Sequence, residues 1–177
     1  MKKLFSLLAL ALAIIVMVTG CGSSAGNAGD SAKKGGTIGL SMASRAKKLI
    51  GAEIIPSAVE NARKNAAHNH VTNAEFLCGD AKDAARILYE RGERPDVIVI
   101  DPPRKGCDEE CLNTILKMRP KRLVYVSCDS ATLARDLKYL CSQGYELKCG
   151  RAFDNFPMGG HVECVIMMQY CGKEKKK

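Results

Sequence analysis

The 177-residue chain lacks several features that would settle its class at once. No Cys-x-x-Cys is repeated among its nine cysteines, and the nearest pair, Cys107 and Cys111, has no second pair at zinc-finger distance, so no metal site is read. An odd number of cysteines scattered through strands and helices fits reduced thiols better than a secreted disulfide framework. Internal repeats are absent, and no linker divides the chain beyond its first 35 residues. The apolar run from Leu4 to Val18 is too short and wrongly flanked for a membrane span. These absences argue against a zinc module, a disulfide scaffold, a solenoid and a membrane-spanning protein.

Lys and Arg outnumber Asp and Glu by 27 to 19, a formal charge of +8, which suits a polyanionic partner such as nucleic acid. Part of that excess lies at the ends, in Lys2-Lys3 and in the basic tail of residues 172–177, where it serves equally as solubilising or targeting charge. The N-terminus follows a different logic. A charged start, the apolar run and then Val18-Thr19-Gly20-Cys21 match a signal peptide ending in a bacterial lipoprotein cleavage box, with Cys21 as the residue to be lipidated. Residues 21–35 are small and polar and read as a flexible tether. Residues 1–20 are therefore expected to be a signal peptide, 21–35 a linker and 36–171 the folded domain.

Within that domain, short apolar runs alternate with helix-length amphipathic stretches, the pattern of an α/β fold with parallel strands and helical crossovers. Strands are predicted at 49–53, 74–77, 97–100, 122–126, from about 145, and at 161–170. Helices are predicted at about 56–69, 80–91, 110–118 and 131–143. In open α/β sheets ligands bind beyond the carboxyl ends of the strands. Glu53, Asp80, Asp101 and Cys128 all stand at such ends.

Gly36 and Gly39 form the second half of a glycine-rich turn into a helix, where backbone approaches a cofactor closely, although two glycines near a helix start can be simple turn residues. Glu53, ending the next strand, is placed to accept both hydroxyls of an adenosine ribose. Asp80 repeats the arrangement one strand later, near an adenine amino group, and reads equally well as a helix N-cap. Asp101-Pro102-Pro103-Arg104 is sharper, because two prolines stiffen the turn and fix where the Asp101 carboxylate points. Arg104 and Lys105 then serve as phosphate or substrate contacts, or as a solvated basic pair. Cys128 lies just past a strand and near a helix start, whose positive end favours a thiolate. Cys141, Cys149 and Cys164 read as ordinary core cysteines. Glu163 follows the turn Phe156-Pro157-Met158-Gly159-Gly160 and is expected at the site entrance.

The runs GTIGLSMAS, DPPRKGCDEE, YVSCDSATLARDLKYL and FPMGGHVECV, in this order and spacing, resemble the catalytic domain of bacterial uracil-5 RNA methyltransferases of the ribosomal and transfer RNA type, from about Gly36 to Tyr170. The resemblance implies a Rossmann-like, S-adenosylmethionine-dependent methyltransferase sheet, located in the cytoplasm, and an RNA partner whose target base is flipped out. It assigns Cys128 as the nucleophile that adds to uracil C6, and Glu163 as the base that removes the C5 proton. Gly36, Gly39, Glu53, Asp80 and Asp101 would hold the cofactor, with Asp101 and Arg104 also facing the uracil. The chain departs from the family where the tether stands in place of the first strand and the opening of the glycine turn, so the sheet is expected to lack its first strand. The upstream RNA-binding domains and a glutamine-bearing segment are also missing, while Asp129 and Ser130 replace the family's asparagine and proline. Two readings of another class stand beside the enzyme: a surface lipoprotein, exported and anchored through Cys21, and a non-catalytic RNA-binding remnant.

Overall fold

The computed structural model describes residues 12–18, 46–155, 159–160 and 162–172. Seven strands form one sheet: β1 (Leu12–Val18), β2 (Ala46–Glu53), β3 (Ala74–Cys78), β4 (Val97–Asp101), β5 (Arg122–Ser127), β6 (Tyr145–Phe153) and β7 (Glu163–Tyr170). Among the described residues there are four helices: α1 (Pro56–His68), α2 (Ala81–Glu90), α3 (Glu109–Met118) and α4 (Ser130–Ser142). Strand order is β3-β2-β1-β4-β5-β7-β6. The first five strands in that order are parallel, whereas β7 runs antiparallel to both β5 and β6.

Local chemistry sets most of the boundaries. Pro56 occupies the first turn of α1, where its missing N–H is no loss. Asp80 caps α2 by accepting the Lys82 N–H, and Asp129 caps α4 by accepting those of Ala131 and Thr132. β4 reads Val-Ile-Val-Ile without alternation because a parallel strand with helices over both faces is buried on both. Its Ile98 and Ile100 join Ile50, Leu88, Ile115, Leu123, Leu140 and Met168 in a single core. Tyr125 is fully buried there. At the far edge, β6 is exposed at every residue beyond Tyr145.

One expectation is corrected. The sheet has a strand in its central place, and that strand is β1, drawn from the apolar run read above as a signal peptide and excluded from the fold. β1 pairs in parallel with β2 on one side, Ile15 opposite Ile50, and with β4 on the other, Ile15 opposite Ile98. The physical reason for the misreading is plain. A strand covered on both faces and the apolar region of a signal peptide share one signature, an unbroken apolar segment, and periodicity cannot separate them. The polar stretch read as a tether lies in sequence between β1 and β2. Its residues, the lipidation candidate Cys21, and the turn glycines Gly36 and Gly39 lie outside the described residues.

Parallel strands end on one edge of a sheet. Val18 pairs with Asp101 and Glu53 with Cys78, so the carboxyl ends of β1 to β4 form one rim, which β5 extends as far as Ser127.

A candidate active site at the carboxyl ends of the strands

Along that rim the structure sets out the residues that sequence singled out. Glu53 ends β2, and one oxygen of its carboxylate accepts the Ile55 N–H at 3.0 Å. Its own carbonyl accepts the Gly79 N–H at 3.0 Å, which draws the end of β3 against the end of β2. Asp80 takes up the cap of its second reading. It is the α2 cap, with Oδ1 3.0 Å from the Lys82 nitrogen, and it also lines a cavity.

That cavity, of about 230 Å³, opens at the ends of β3 and β4 and is walled by Ile54, Asp80, Asp101, Pro103, Gly106 and Cys107 among others. It combines apolar walls with three carboxylates, Asp80, Asp101 and Asp108, and two lysines, Lys82 and Lys105, as a small-molecule site should. Asp101 is held above the ordinary carboxylate value of 3.8, first by burial and then by the negative charge of Glu163. The second cause is also a statement of geometry, because Asp101 and Glu163 stand near enough to interact.

Cys128 occupies the turn between β5 and α4, half-buried, with a free thiol. The antiparallel pairing of β5 with β7 brings Ser127 opposite Cys164. Cys128 follows Ser127 into the turn and Glu163 precedes Cys164 at the start of β7, so the two residues assigned by resemblance as nucleophile and base lie at the same end of this strand pair. The α4 N-terminus is engaged by Asp129, whose Oδ1 lies 3.0 and 2.9 Å from the nitrogens of Ala131 and Thr132. Those amides are thus committed to the cap rather than to the thiol.

Arg104 is exposed on the loop after β4, held through its backbone, with its carbonyl accepting the Thr132 hydroxyl at 2.9 Å. Glu53, Asp80, Asp101, Arg104, Cys128 and Glu163 share the rim, whereas Gly36 and Gly39 lie outside the described residues. Sequence reasoning missed Asp136, which is 2 % exposed in α4. The signal was present: Leu133, Asp136, Leu137 and Leu140 form one helical stripe, and a carboxylate on an apolar stripe needs a buried partner.

The raised Asp101 value has a consequence for stability. A carboxyl that binds its proton more tightly folded than unfolded costs stability as pH rises from 3.8 through the folded value, and the penalty is constant above it. Asp101→Asn removes that penalty. Thermal melts are expected to show the variant more stable than the wild type at neutral pH, with the gap closing below pH 3.8. An equal gap at all pH values would rule out Asp101 as its source.

An open α/β sheet with one antiparallel insertion, and a cavity between acidic strand ends, defines a Rossmann-like methyltransferase. The structure aligns with that of the tRNA (uracil-54, C5)-methyltransferase of Pyrococcus abyssi, solved with S-adenosyl-L-homocysteine, at a TM-score of 0.66 and 28% identity, over 89% of this chain and 34% of that one. The family model for tRNA (uracil-5-)-methyltransferase matches residues 33–171, and the chain belongs to that family. A Bacillus cereus protein named as an uncharacterized RNA methyltransferase is 53% identical over 133 residues, which cover 75% of this chain and 29% of that protein. A counterpart in Clostridium acetobutylicum is 47% identical over 138 residues, covering 78% and 30%. The chain thus corresponds to less than a third of those relatives' length, and β1 precedes the region that the family model matches.

Proposed function

We propose that this domain binds S-adenosylmethionine and directs methylation of C5 of a uracil in RNA, by way of a covalent adduct with Cys128. The observation that carries the reading is the strand register that brings the Cys128 end of β5 and the Glu163 end of β7 to the same rim as the cavity lined by Asp80 and Asp101.

Uracil C5 is a weak nucleophile until a thiolate adds at C6, which makes C5 enolate-like. Cys128 is placed for that addition. The cofactor, when bound, supplies an electrophilic methyl group to C5. Glu163 then takes the C5 proton, and the returning electron pair expels the cysteine sulfur from C6, restoring the ring's double bond and the free enzyme. Glu53 and Asp80 are placed to hold the ribose and adenine, with Ile54 supplying an apolar face beside them. Asp101 lies between the cofactor and the uracil. Its raised affinity for a proton reverses when a cationic group enters, because an opposite charge favours the carboxylate. Arg104, exposed at the rim, is placed to meet an RNA phosphate.

The place of β1 in the sheet supports a cytoplasmic protein over an exported one, since residues 12–18 cannot pair with β2 and β4 and also enter a membrane. The cytoplasm is also where S-adenosylmethionine and RNA reside.

Calorimetry of the purified chain with S-adenosylhomocysteine tests the cofactor half of this reading, and denaturing electrophoresis after mixing with 5-fluorouridine RNA tests the covalent half. A carbon–fluorine bond at C5 cannot be cleared by Glu163, so the adduct is expected to persist. No heat of binding and no shifted band would defeat the proposal.

A further inference from the structure

The loop from Pro102 to Asp108 follows directly on Asp101, the last residue of β4, and supplies one wall of the cavity, yet it contains no helix or strand. Loop atoms hold a position only when their polar groups are tied down. Here the ties converge on the first two turns of α4, the helix that begins directly behind Cys128. The Thr132 hydroxyl donates to the Arg104 carbonyl at 2.9 Å. Arg135 Nη2 donates to the Lys105 carbonyl at 2.9 Å. The Cys107 N–H donates to Asp136 Oδ2 at 2.9 Å.

Asp136 is the centre of this arrangement. Its Oδ2 also accepts the Tyr125 hydroxyl at 2.5 Å, and its Oδ1 accepts Arg135 Nε at 2.8 Å. Burial pushes the Tyr125 hydroxyl well above its ordinary value, so it stays protonated and donates. One buried carboxylate therefore joins β5, α4 and the loop. Gly106 shows how closely they meet. Its φ is +79°, and a Cβ there would stand 2.6 Å from Asp136 Oδ2 and 2.4 Å from Arg135 Nη2.

Resting on the methyltransferase reading above, we propose that Asp136 is a positioning residue of the site, the clamp that fixes the cavity-wall loop following Asp101 relative to the helix behind Cys128. It touches neither substrate nor cofactor. Its effect is to keep the cofactor-side carboxylate and the attacking thiol at a set spacing, and small errors in such spacing are costly to catalysis.

Three variants and two measurements test the clamp. Asp136→Ala removes the bonds to Cys107, Tyr125 and Arg135 Nε at once, whereas Asp136→Asn keeps one acceptor oxygen for Tyr125 and Cys107 and gives up only Arg135, whose side chain is 57% exposed and can turn to water. Tyr145→Phe is the stability control, because the bond it loses, to the Pro120 carbonyl, lies at the opposite end of the sheet. Asp136→Ala is expected to bind S-adenosylhomocysteine about tenfold more weakly, the effect of leaving buried partners unmatched, and its Cys107 should be alkylated by iodoacetamide faster than in the wild type. Asp136→Asn should restore both properties to near the wild-type values, and Tyr145→Phe should lower the melting temperature without moving either. If Asp136→Ala does not fold, Tyr125→Phe takes its place, with an expected change of about threefold in each readout.

Unchanged binding and unchanged Cys107 labelling in a folded variant would overturn the proposal, as would effects equal to those of Tyr145→Phe. Should the wild type itself fail to bind S-adenosylhomocysteine, the functional reading falls separately. The clamp is then decided by labelling alone, faster alkylation upholding the loop anchor and an unchanged rate overturning it.

Discussion

Cys128→Ser is expected to yield no covalent complex with 5-fluorouridine RNA and to lower methyl transfer by about 10⁴-fold or more, the scale set by removing a covalent nucleophile. A serine hydroxyl is a far poorer nucleophile toward C6 at neutral pH. The fold should not notice, because sulfur and oxygen differ little in size and Cys128 is only half-buried, so stability should stay within about 0.5 kcal/mol. Specificity is checked on the same gel. Cys141, also a free thiol and exposed, should be replaceable by serine with the adduct intact. Glu163→Gln should act in the opposite sense to Cys128→Ser. With no base to take the C5 proton the cysteine cannot be expelled, so an adduct should accumulate even with ordinary uridine RNA. An adduct formed by Cys128→Ser, or a Glu163→Gln variant that releases product normally, would remove these residues from their roles.

Deleting residues 1–20 is expected to abolish cooperative unfolding. β1 contributes six register pairs to β2 and five to β4, and without it those strands face each other across an empty lane with their backbone donors and acceptors unmet. The cost rivals the whole stability of a domain, about 5–15 kcal/mol. Circular dichroism should show no sharp thermal transition in the shortened chain, and hydrogen exchange should find the β2 and β4 amides unprotected. A shortened chain that melts at the same temperature would show that β1 is dispensable. The companion expectation is that palmitate fed to cells does not label the chain at Cys21. Labelling that disappears in Cys21→Ser would mean that residues 12–18 are spent on export rather than on the sheet.

Most of the architecture was legible because the signals were local. Val97–Ile100 reads as a buried strand from its composition alone, Pro56 marks a helix start, and Asp80 announces a cap. The rim was legible for a second reason, since acidic residues ending successive apolar strands converge in any parallel sheet. Three features needed the third dimension. β1 was misread because its sequence satisfies two physical descriptions equally. The insertion of β7 between β5 and β6 is a matter of long-range pairing, which no local pattern encodes, and it is this insertion that brings Glu163 to the Cys128 end of β5. Asp136 was visible as an anomaly on an apolar stripe, but its partners lie on another strand and another loop.

The order of synthesis gives the central strand a further significance. β1 is made first, yet β2 begins at Ala46 and β4 ends at Asp101, so its two neighbours leave the ribosome only after long intervals. Chains grow at about 5–20 residues per second, which leaves the apolar segment unpaired for seconds. Long-range parallel pairing is slow in any case, because loop closure must precede the contacts that reward it. During that interval the segment is available to any machinery that captures unpaired apolar segments. Its fate is therefore a race, decided by translation speed and capture rate as much as by the depth of the folded well.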